Sequence, residues 1–167
     1  DLAIRVNNTG GDVNDGEADP GPITIDVGGE TIAFEFTGPA EHQHLSVAGS
    51  AELVITDFVN LNGDFTIERS QLDTNADTIV EDVLKVGVES LNFTLSAGSL
   101  EVLSFSDGSG AFVFTDEGVA GAADLQFEVG MIGLAGDINM DVNTLDRAIE
   151  ASVPVASGMV AFNYTDT

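Results

Sequence analysis

The sequence predicts an all-β, mainly antiparallel fold, built as an elongated β-sandwich or a β-solenoid-like stack of four-strand repeats of about 70 residues. Three observations support this: apolar residues alternate with polar ones, two-residue turns separate the alternating segments, and the same segments recur along the chain. A compact single β-sandwich is the second architecture that the pattern allows.

The alternation is present through most of the chain. The segments "ITIDV", "TIAFEF", "AELVI", "DFTIE", "LNFTL" and "DLQFEV" place apolar residues, many of them β-branched or Phe, at every second position. This period of two is typical of strands with one buried face. With 43% hydrophobic residues, the chain can bury a core.

Short turns connect several of these strands. Gly28-Gly29, Glu89-Ser90 and Ser157-Gly158 each predict a hairpin, because two-residue turns join antiparallel neighbours. Helix signals are few: one turn is expected within residues 78–84 and another within residues 144–149, both in variable joints that follow the first strand of a unit.

An internal repeat gives the order of the elements. "VAGSAELVI" at 47–55 returns as "VAGAADLQF" at 119–127, a shift of 119 − 47 = 72 residues. Asp1–Val6 resembles both Asp64–Arg69 and Asp137–Val142, and a predicted hairpin follows each copy. The second strands of these hairpins carry Phe34, Phe93 and Phe162.

These matches divide one continuous β structure into three units. Residues 1–63 and 64–136 form two full units, and residues 137–167 form a partial third unit that lacks the "VAG" strand. The third hairpin has therefore lost a neighbour, which another subunit could supply by strand addition.

The charge excludes several classes of partner. Asp and Glu number 29 against 4 Lys and Arg, giving a formal net charge of −25. Such a surface repels nucleic acid and anionic lipid. Either bound divalent cations or salt must relieve the repulsion, so we expect stability to rise with salt or Ca²⁺.

Two acidic segments are candidate Ca²⁺ sites, because Ca²⁺ binds cages of oxygen ligands. "DTNADTIVED" resembles an EF-hand loop in part, but Thr78 stands where that loop has its Gly. Its candidate ligands are Asp73, Asn75, Asp77, Glu81 and Asp82. A weaker set in the preceding unit comprises Asp12, Asn14, Asp15, Glu17 and Asp19. A solvated acidic loop is the alternative for both segments.

Other chemistry has little support. His42 and His44 with Glu41 could bind Zn²⁺, but no third strong ligand is evident, so an exposed loop is the preferred interpretation. The chain has no Cys and no G-x-S-x-G motif, and no carboxylate pair stands out. We therefore expect a protein that is not an enzyme, with no cofactor beyond Ca²⁺.

No membrane insertion is expected, because no run of 18 apolar residues occurs. The first residues carry no signal-peptide pattern and no initiating Met. The sequence is therefore expected to be a processed or excised piece of a longer protein.

A family resemblance follows from three phrases. "IRVNNTGGDV", "LSVAGSAELVITDFVNLNGDFTIE" and "DINMDVNT" are similar to repeats of giant bacterial surface proteins, including the LEPR-XLL-containing type. The resemblance covers most of the chain and implies extracellular or cell-surface tandem arrays of β modules without enzymatic activity. It provides no functional residues to transfer.

The leading hypothesis is a structural repeat or subunit of an extracellular filament, stalk or giant surface adhesin, which assembles with copies of itself or adjacent repeats through strand contacts. The expected interface joins Leu2, Ile4 and Val6 of the first strand to Val160, Phe162 and Tyr164 of the last strand. The alternative is a Ca²⁺-dependent adhesin module that binds a polysaccharide or a surface. A carbohydrate-active enzyme is a third hypothesis.

Overall fold

The fold is a large open β-sheet with two additional hairpins. The computed structural model describes residues 2–16, 21–38, 41–56, 58–72 and 81–165. Its strands, in chain order, are β1 (Leu2–Asn7), β2 (Ile23–Val27), β3 (Glu30–Phe34), β4 (His44–Ile55), β5 (Val59–Leu72), β6 (Glu81–Ala97), β7 (Leu100–Phe114), β8 (Val119–Val129), β9 (Leu134–Asn143), β10 (Ile149–Val155) and β11 (Gly158–Tyr164).

Seven strands form one sheet in the order β1-β4-β5-β6-β7-β8-β9, while β2-β3 and β10-β11 form separate two-stranded sheets. All pairings between these strands are antiparallel. The predicted all-β, mainly antiparallel class is therefore confirmed.

Two of the three predicted hairpins form where the sequence indicates. Gly28 and Gly29 connect β2 to β3, and both have positive φ, at 62° and 91°. Ala156 and Ser157 connect β10 to β11, one residue earlier than predicted. Glycine suits the first turn because it adopts positive φ without a clash at Cβ.

The middle hairpin prediction is wrong. Residues 81–97 form one strand of 17 residues, so Glu89 and Ser90 do not form a turn. Ser90 has φ of 53°, and the pairing register shifts beside it. Glu89 and Ser90 instead mark a β-bulge, in which the strand accommodates one extra residue without reversing its direction.

The two predicted helical turns are also absent from the described residues. Residues 78–80 lie outside the described ranges, while residues 81–84 belong to β6. Residues 144–148 form a bend before β10, without a helix. In β6, alternation of Val83 and Lys85, both buried, with the exposed Leu84 fits a strand and not a helix.

The hydrophobic core lies between the β10–β11 hairpin and one face of the large sheet. Its buried cluster is Val83, Ala111, Val113, Ala120, Leu145, Ile149, Ala151 and Val153, with Phe162 and Tyr164 packed against it. Pro154 of β10 lies so near Gly87 of β6 that a Cβ at that position would overlap its carbonyl oxygen. Glycine at position 87 therefore permits the close approach of the hairpin.

Polar contacts hold this hairpin in place. Glu89 accepts hydrogen bonds from the Ser157 backbone N–H at 2.6 Å and from its hydroxyl at 2.5 Å. At the other end, the Arg147 guanidinium forms ion pairs with Glu81 at 2.7 Å and Glu117 at 2.9 Å. These contacts connect both ends of the hairpin layer to the sheet.

The face beneath the hairpin becomes polar toward β1. Lys85 is paired with Glu68 on the neighbouring strand, with Nζ to Oε1 at 2.9 Å. Their side chains are only 11% and 18% exposed, so each charge depends on the other for compensation. We name the side of the large sheet that packs against the β10–β11 hairpin the hairpin face.

The two sequence boundaries at 63/64 and 136/137 fall inside β5 and β9. The sheet thus runs through both junctions without interruption. Ile4 and Ile67, which correspond in the sequence repeat, both pair with Val47 from opposite sides of β4. The similar segments 2–6 and 65–69 are therefore neighbours of one shared strand.

Candidate assembly surface

The side of the large sheet opposite the hairpin face is apolar. Strand alternation places the partners of each register row on one side of the sheet. The central row is Ile4, Val47, Ile67, Val86, Phe112, Gly121 and Val142. The next row is Leu2, Gly49, Phe65, Val88, Gly110, Ala123 and Met140. We name this side the apolar face.

A further row extends the apolar face toward the opposite end of the strands. It contains Leu53, Leu61, Phe93, Phe105, Phe127 and Gly136. The rings of Phe93 and Phe105 lie 5.7 Å apart in a tilted arrangement, which is a favourable geometry for an aromatic pair. The surface is therefore continuous along the long strands.

Two β-bulges make this continuity possible. Among the described residues, Ser90 in β6 and Asp107 in β7 are the non-glycine positions with positive φ, at 53° and 52°. The register shifts beside both residues. Each extra residue reverses the alternation of its own strand, so Phe93 and Phe105 return to the apolar face with Leu61 and Phe127.

Asn92 stabilises this pair of bulges. Its amide donates to the Ser90 carbonyl oxygen at 2.7 Å and to the Asn62 side-chain oxygen at 3.2 Å. Its own side-chain oxygen accepts from the Asp107 backbone N–H at 3.4 Å. One side chain thus links β5, β6 and β7 where the regular ladder is interrupted.

Large apolar side chains on this face are open to solvent. Leu2 is 65% exposed, Ile4 59% and Met140 48%. Others with more than a third of their area exposed are Val6, Leu45, Leu53, Ile55, Ile67, Leu84, Phe114, Leu134 and Ile138. Within the described chain, the contacts of β10 with the sheet lie on the hairpin face, where Pro154 meets Gly87. An apolar surface of this extent is typical of an interaction site.

The sheet also has two free edges among the described residues. β1 pairs with β4 along one side and β9 pairs with β8 along one side, which leaves the outer side of each strand without a strand partner. Six successive antiparallel pairings separate them, so β1 and β9 run in the same direction. An edge strand presents free N–H and C=O groups that a further strand can bind.

No known protein family, curated protein or solved structure matches the chain significantly. The described residues contain no helix that is long and apolar enough to cross a membrane.

The predicted interface residues lie in two different settings. Leu2, Ile4 and Val6 are exposed on the free edge strand β1. Phe162 and Tyr164 pack against the core of their own chain, while Val160 is 37% exposed. The last strand of the large sheet is β9, not β11, and the sequence could not identify it because strand order depends on tertiary pairing.

Tyr164 is held by contacts within the chain. Its hydroxyl donates to the Gly121 carbonyl oxygen at 2.7 Å and lies 3.3 Å from an Asp141 carboxylate oxygen. Burial raises the pKa of the Tyr164 phenol, and the negative charge of Asp141 raises it further. The ring closes the core at the junction of β8 and β9.

The first acidic segment forms a loop with internal hydrogen bonds. Asp12 Oδ1 accepts from the Gly38 backbone N–H at 2.8 Å and lies 2.7 Å from His42 Nε2. These two hydrogen bonds lower the pKa of the Asp12 carboxyl, the larger effect coming from His42. Asn14 accepts from Gly16 N–H and Asp15 from Gly21 N–H. Glu17 and Asp19 lie outside the described residues.

The second acidic segment is described only at its end. Asp73, Asn75 and Asp77 lie outside the described residues. Glu81 forms an ion pair with Arg147, and Asp82 forms one with Arg69 at 3.1 Å. Within the described ranges, no three His, Asp or Glu side chains come together as a metal site.

The side chains of the two histidines lie in different environments. His42 contacts Asp12, whereas His44 is 4% exposed and its ring lies 5.9 Å from that of Phe36. The Arg5 guanidinium carbon lies 4.8 Å from the centre of the same Phe36 ring. Arg5, Phe36 and His44 thus stack over the β1–β4 end of the hairpin face, an arrangement typical of cation–π and aromatic packing.

Proposed function

We propose that this chain is a structural subunit of an extracellular assembly, in which the large sheet continues from one copy to the next through β1 and β9. The supporting observation is the pair of free edge strands that run in the same direction at opposite sides of one open sheet. The resemblance to repeats of bacterial surface proteins agrees with this role, and no enzymatic activity is part of it.

The relative direction of the two edge strands determines the kind of assembly. Because β1 and β9 are parallel within one copy, β9 of one subunit meets β1 of the next as a parallel pair when both sheets face the same way. Such contacts are heterologous, since two different surfaces meet. Heterologous contacts of this kind extend into a filament unless the rotation between subunits closes a ring.

The two edges are complementary in chemistry. Leu2, Ile4 and Val6 on β1 match Ile138 and Met140 on β9, so the apolar face continues across the junction. On the opposite side of the sheet, β1 presents Arg5, and β9 presents acidic side chains such as Asp141. Arg5 already lies 3.5 Å from a Glu41 carboxylate oxygen, and the junction would bring a further carboxylate to this cation.

The same arrangement accommodates the sequence repeat. Residues 2–6 and 65–69 already flank β4 in equivalent registers. The corresponding segment of the partial third unit lies in β9, at the far edge. A stack of about 70-residue units would then continue as one sheet from subunit to subunit.

Cysteine cross-linking tests this proposal, because the chain has no native Cys. Neighbouring strands lie about 4.8 Å apart, within the Cα separation that a disulfide spans. We expect Ile4→Cys mixed with Met140→Cys to give the mixed disulfide dimer on mild oxidation. In separate mixtures with Ile4→Cys, Ile138→Cys or Val142→Cys replaces Met140→Cys to test the two neighbouring registers of strand pairing.

Val160→Cys serves as the matched control, since it places an exposed cysteine on β11 instead of β9. The proposed junction predicts little cross-linking between Ile4→Cys and Val160→Cys. Predominant cross-linking of each variant with itself would indicate twofold pairing of like edges, and the absence of any cross-link would contradict strand addition.

A further inference from the structure

We infer that the apolar face is an interface with a second copy of this chain, packed face to face as the second layer of a β-sandwich. This inference rests on the proposed structural function and adds a second contact to it. The edge strands would extend the sheet sideways, whereas the apolar face would pair two sheets.

The exposed area of the chain is large enough to accommodate a partner layer. The chain exposes 10228 Å², whereas a compact monomer of 17.3 kDa exposes about 7,800 Å². The excess is about 2,400 Å², which is comparable with the area that each partner buries in a large obligate interface. The excess is thus large enough for a stable dimer.

The distribution of charge permits a second copy of the same chain to cover this face. At −25, two copies repel one another wherever their acidic surfaces meet. The central rows of the apolar face contain no carboxylate, and the Arg69–Asp82 ion pair lies at the end of β5 and β6. Two apolar faces can therefore meet while the hairpin faces and their acids point outward.

The shape of the surface supports the same partner. Sheets of long strands pack face to face about 10 Å apart, with strand directions within about 30° of each other. Twofold symmetry makes one patch serve both partners, and Ile67 lies in the central row of that patch. A charged or strongly polar partner would lose hydration here without gaining hydrogen bonds.

Sedimentation equilibrium of the full chain in 0.5 M NaCl tests the inference, since this salt concentration screens the net charge. We expect the smallest associated species to be a dimer. Ile67→Lys should raise the dissociation constant at least tenfold, because each dimer would bury two unpaired ammonium groups. The side chain of Ile67 is 38% exposed in the single chain, so a lysine can reach solvent in the monomer.

Asn60→Lys is the matched control. Asn60 lies on the same strand, is exposed, and by alternation points to the hairpin side of the sheet. It adds the same charge, and we expect it to leave the dimer intact. Ile67→Thr is a smaller change that keeps β-branching, and we expect it to weaken the dimer less than Ile67→Lys does. It provides the test if the lysine variant fails to fold.

Several results would overturn the inference. A native chain that stays monomeric at high concentration would show that a second copy does not cover the face, and binding of that monomer to phosphatidylcholine vesicles would assign the face to lipid. A dimer unaffected by Ile67→Lys would show that another surface mediates association. If Ile67→Lys abolishes dimers while the Ile4→Cys/Met140→Cys cross-link persists, the edge junction and the face contact are separate.

Discussion

Tyr164 shows how one side chain can close a core that its own strand only partly covers. β11 pairs with β10 alone, yet the Tyr164 hydroxyl reaches the backbone of β8 at Gly121. The ring contributes apolar packing, and the hydroxyl satisfies a carbonyl that borders the core. A residue expected to contact another subunit thereby joins two layers of the same chain.

We predict that Tyr164→Phe lowers the free energy of unfolding by about 1 kcal/mol at pH 7, because it removes one hydrogen bond and retains the ring. The pKa of Tyr164 is raised in the folded state, so its contribution is fully present below about pH 10, the usual pKa of tyrosine. The contribution decreases as the pH rises through the folded-state pKa.

Urea unfolding of both proteins at neutral pH and in the alkaline range above pH 10 measures this effect. The stability difference between the native chain and Tyr164→Phe should shrink as the pH rises. A difference that is absent at pH 7, or that grows with pH, would contradict the assigned role of the hydroxyl.

At the scale of the element, the paired bulges of β6 and β7 determine the two-sided character of the sheet. Ser90 and Asp107 occupy the left-handed region, which costs roughly 1–2 kcal/mol for a residue with a side chain. The cost is offset because the bulges return apolar side chains such as Phe93 and Phe105 to the apolar face.

We predict that Asp107→Gly raises the free energy of unfolding by about 0.5–1 kcal/mol, since glycine adopts positive φ without strain. Asp107→Val should lower it by at least about 1 kcal/mol, because a β-branched side chain is poorly tolerated at positive φ. Chemical denaturation of the purified variants measures both changes.

Asp137→Gly is the control, because Asp137 is an exposed acidic residue of β9 whose pairing with β8 shows no register shift. There, glycine should destabilise the protein by about 0.5–1 kcal/mol. Equal effects of glycine at positions 107 and 137 would contradict the special role of the bulge.

These elements also show what the sequence could and could not predict. Alternation in "DFTIE" and "DLQFEV" predicted strands correctly, since period-two patterning reflects local geometry. The bulge at Ser90 was mistaken for a turn, because both features favour small polar residues with positive φ. The exposed apolar face was not predicted, because only the cross-strand register shows that Ile4, Val47 and Ile67 share one row.

At the scale of the whole molecule, the net charge and the exposed apolar area have opposite effects on association. The net charge of −25 resists both compaction and association. The uncovered apolar face favours association. The balance between these two terms should therefore depend strongly on ionic strength.

We predict that the melting temperature rises as NaCl is increased from about 10 mM to about 1 M, as the Debye length decreases from about 30 Å to about 3 Å. Scanning calorimetry or circular dichroism measures the shift. CaCl₂ at matched ionic strength is the comparison: a further increase specific to Ca²⁺ would favour the acidic-loop sites. A melting temperature that is independent of NaCl would contradict the dominance of self-repulsion.

The coupled bulges have a consequence for how this sequence can change over evolutionary time. A single-residue deletion at Ser90 alone would exchange the two sides of β6 beyond that point while leaving β7 unchanged. Phe93 would then face the hairpin side opposite a Phe105 that had not moved. Length changes near positions 90 and 107 should therefore be inherited together, and relatives should either keep both extra residues or lack both.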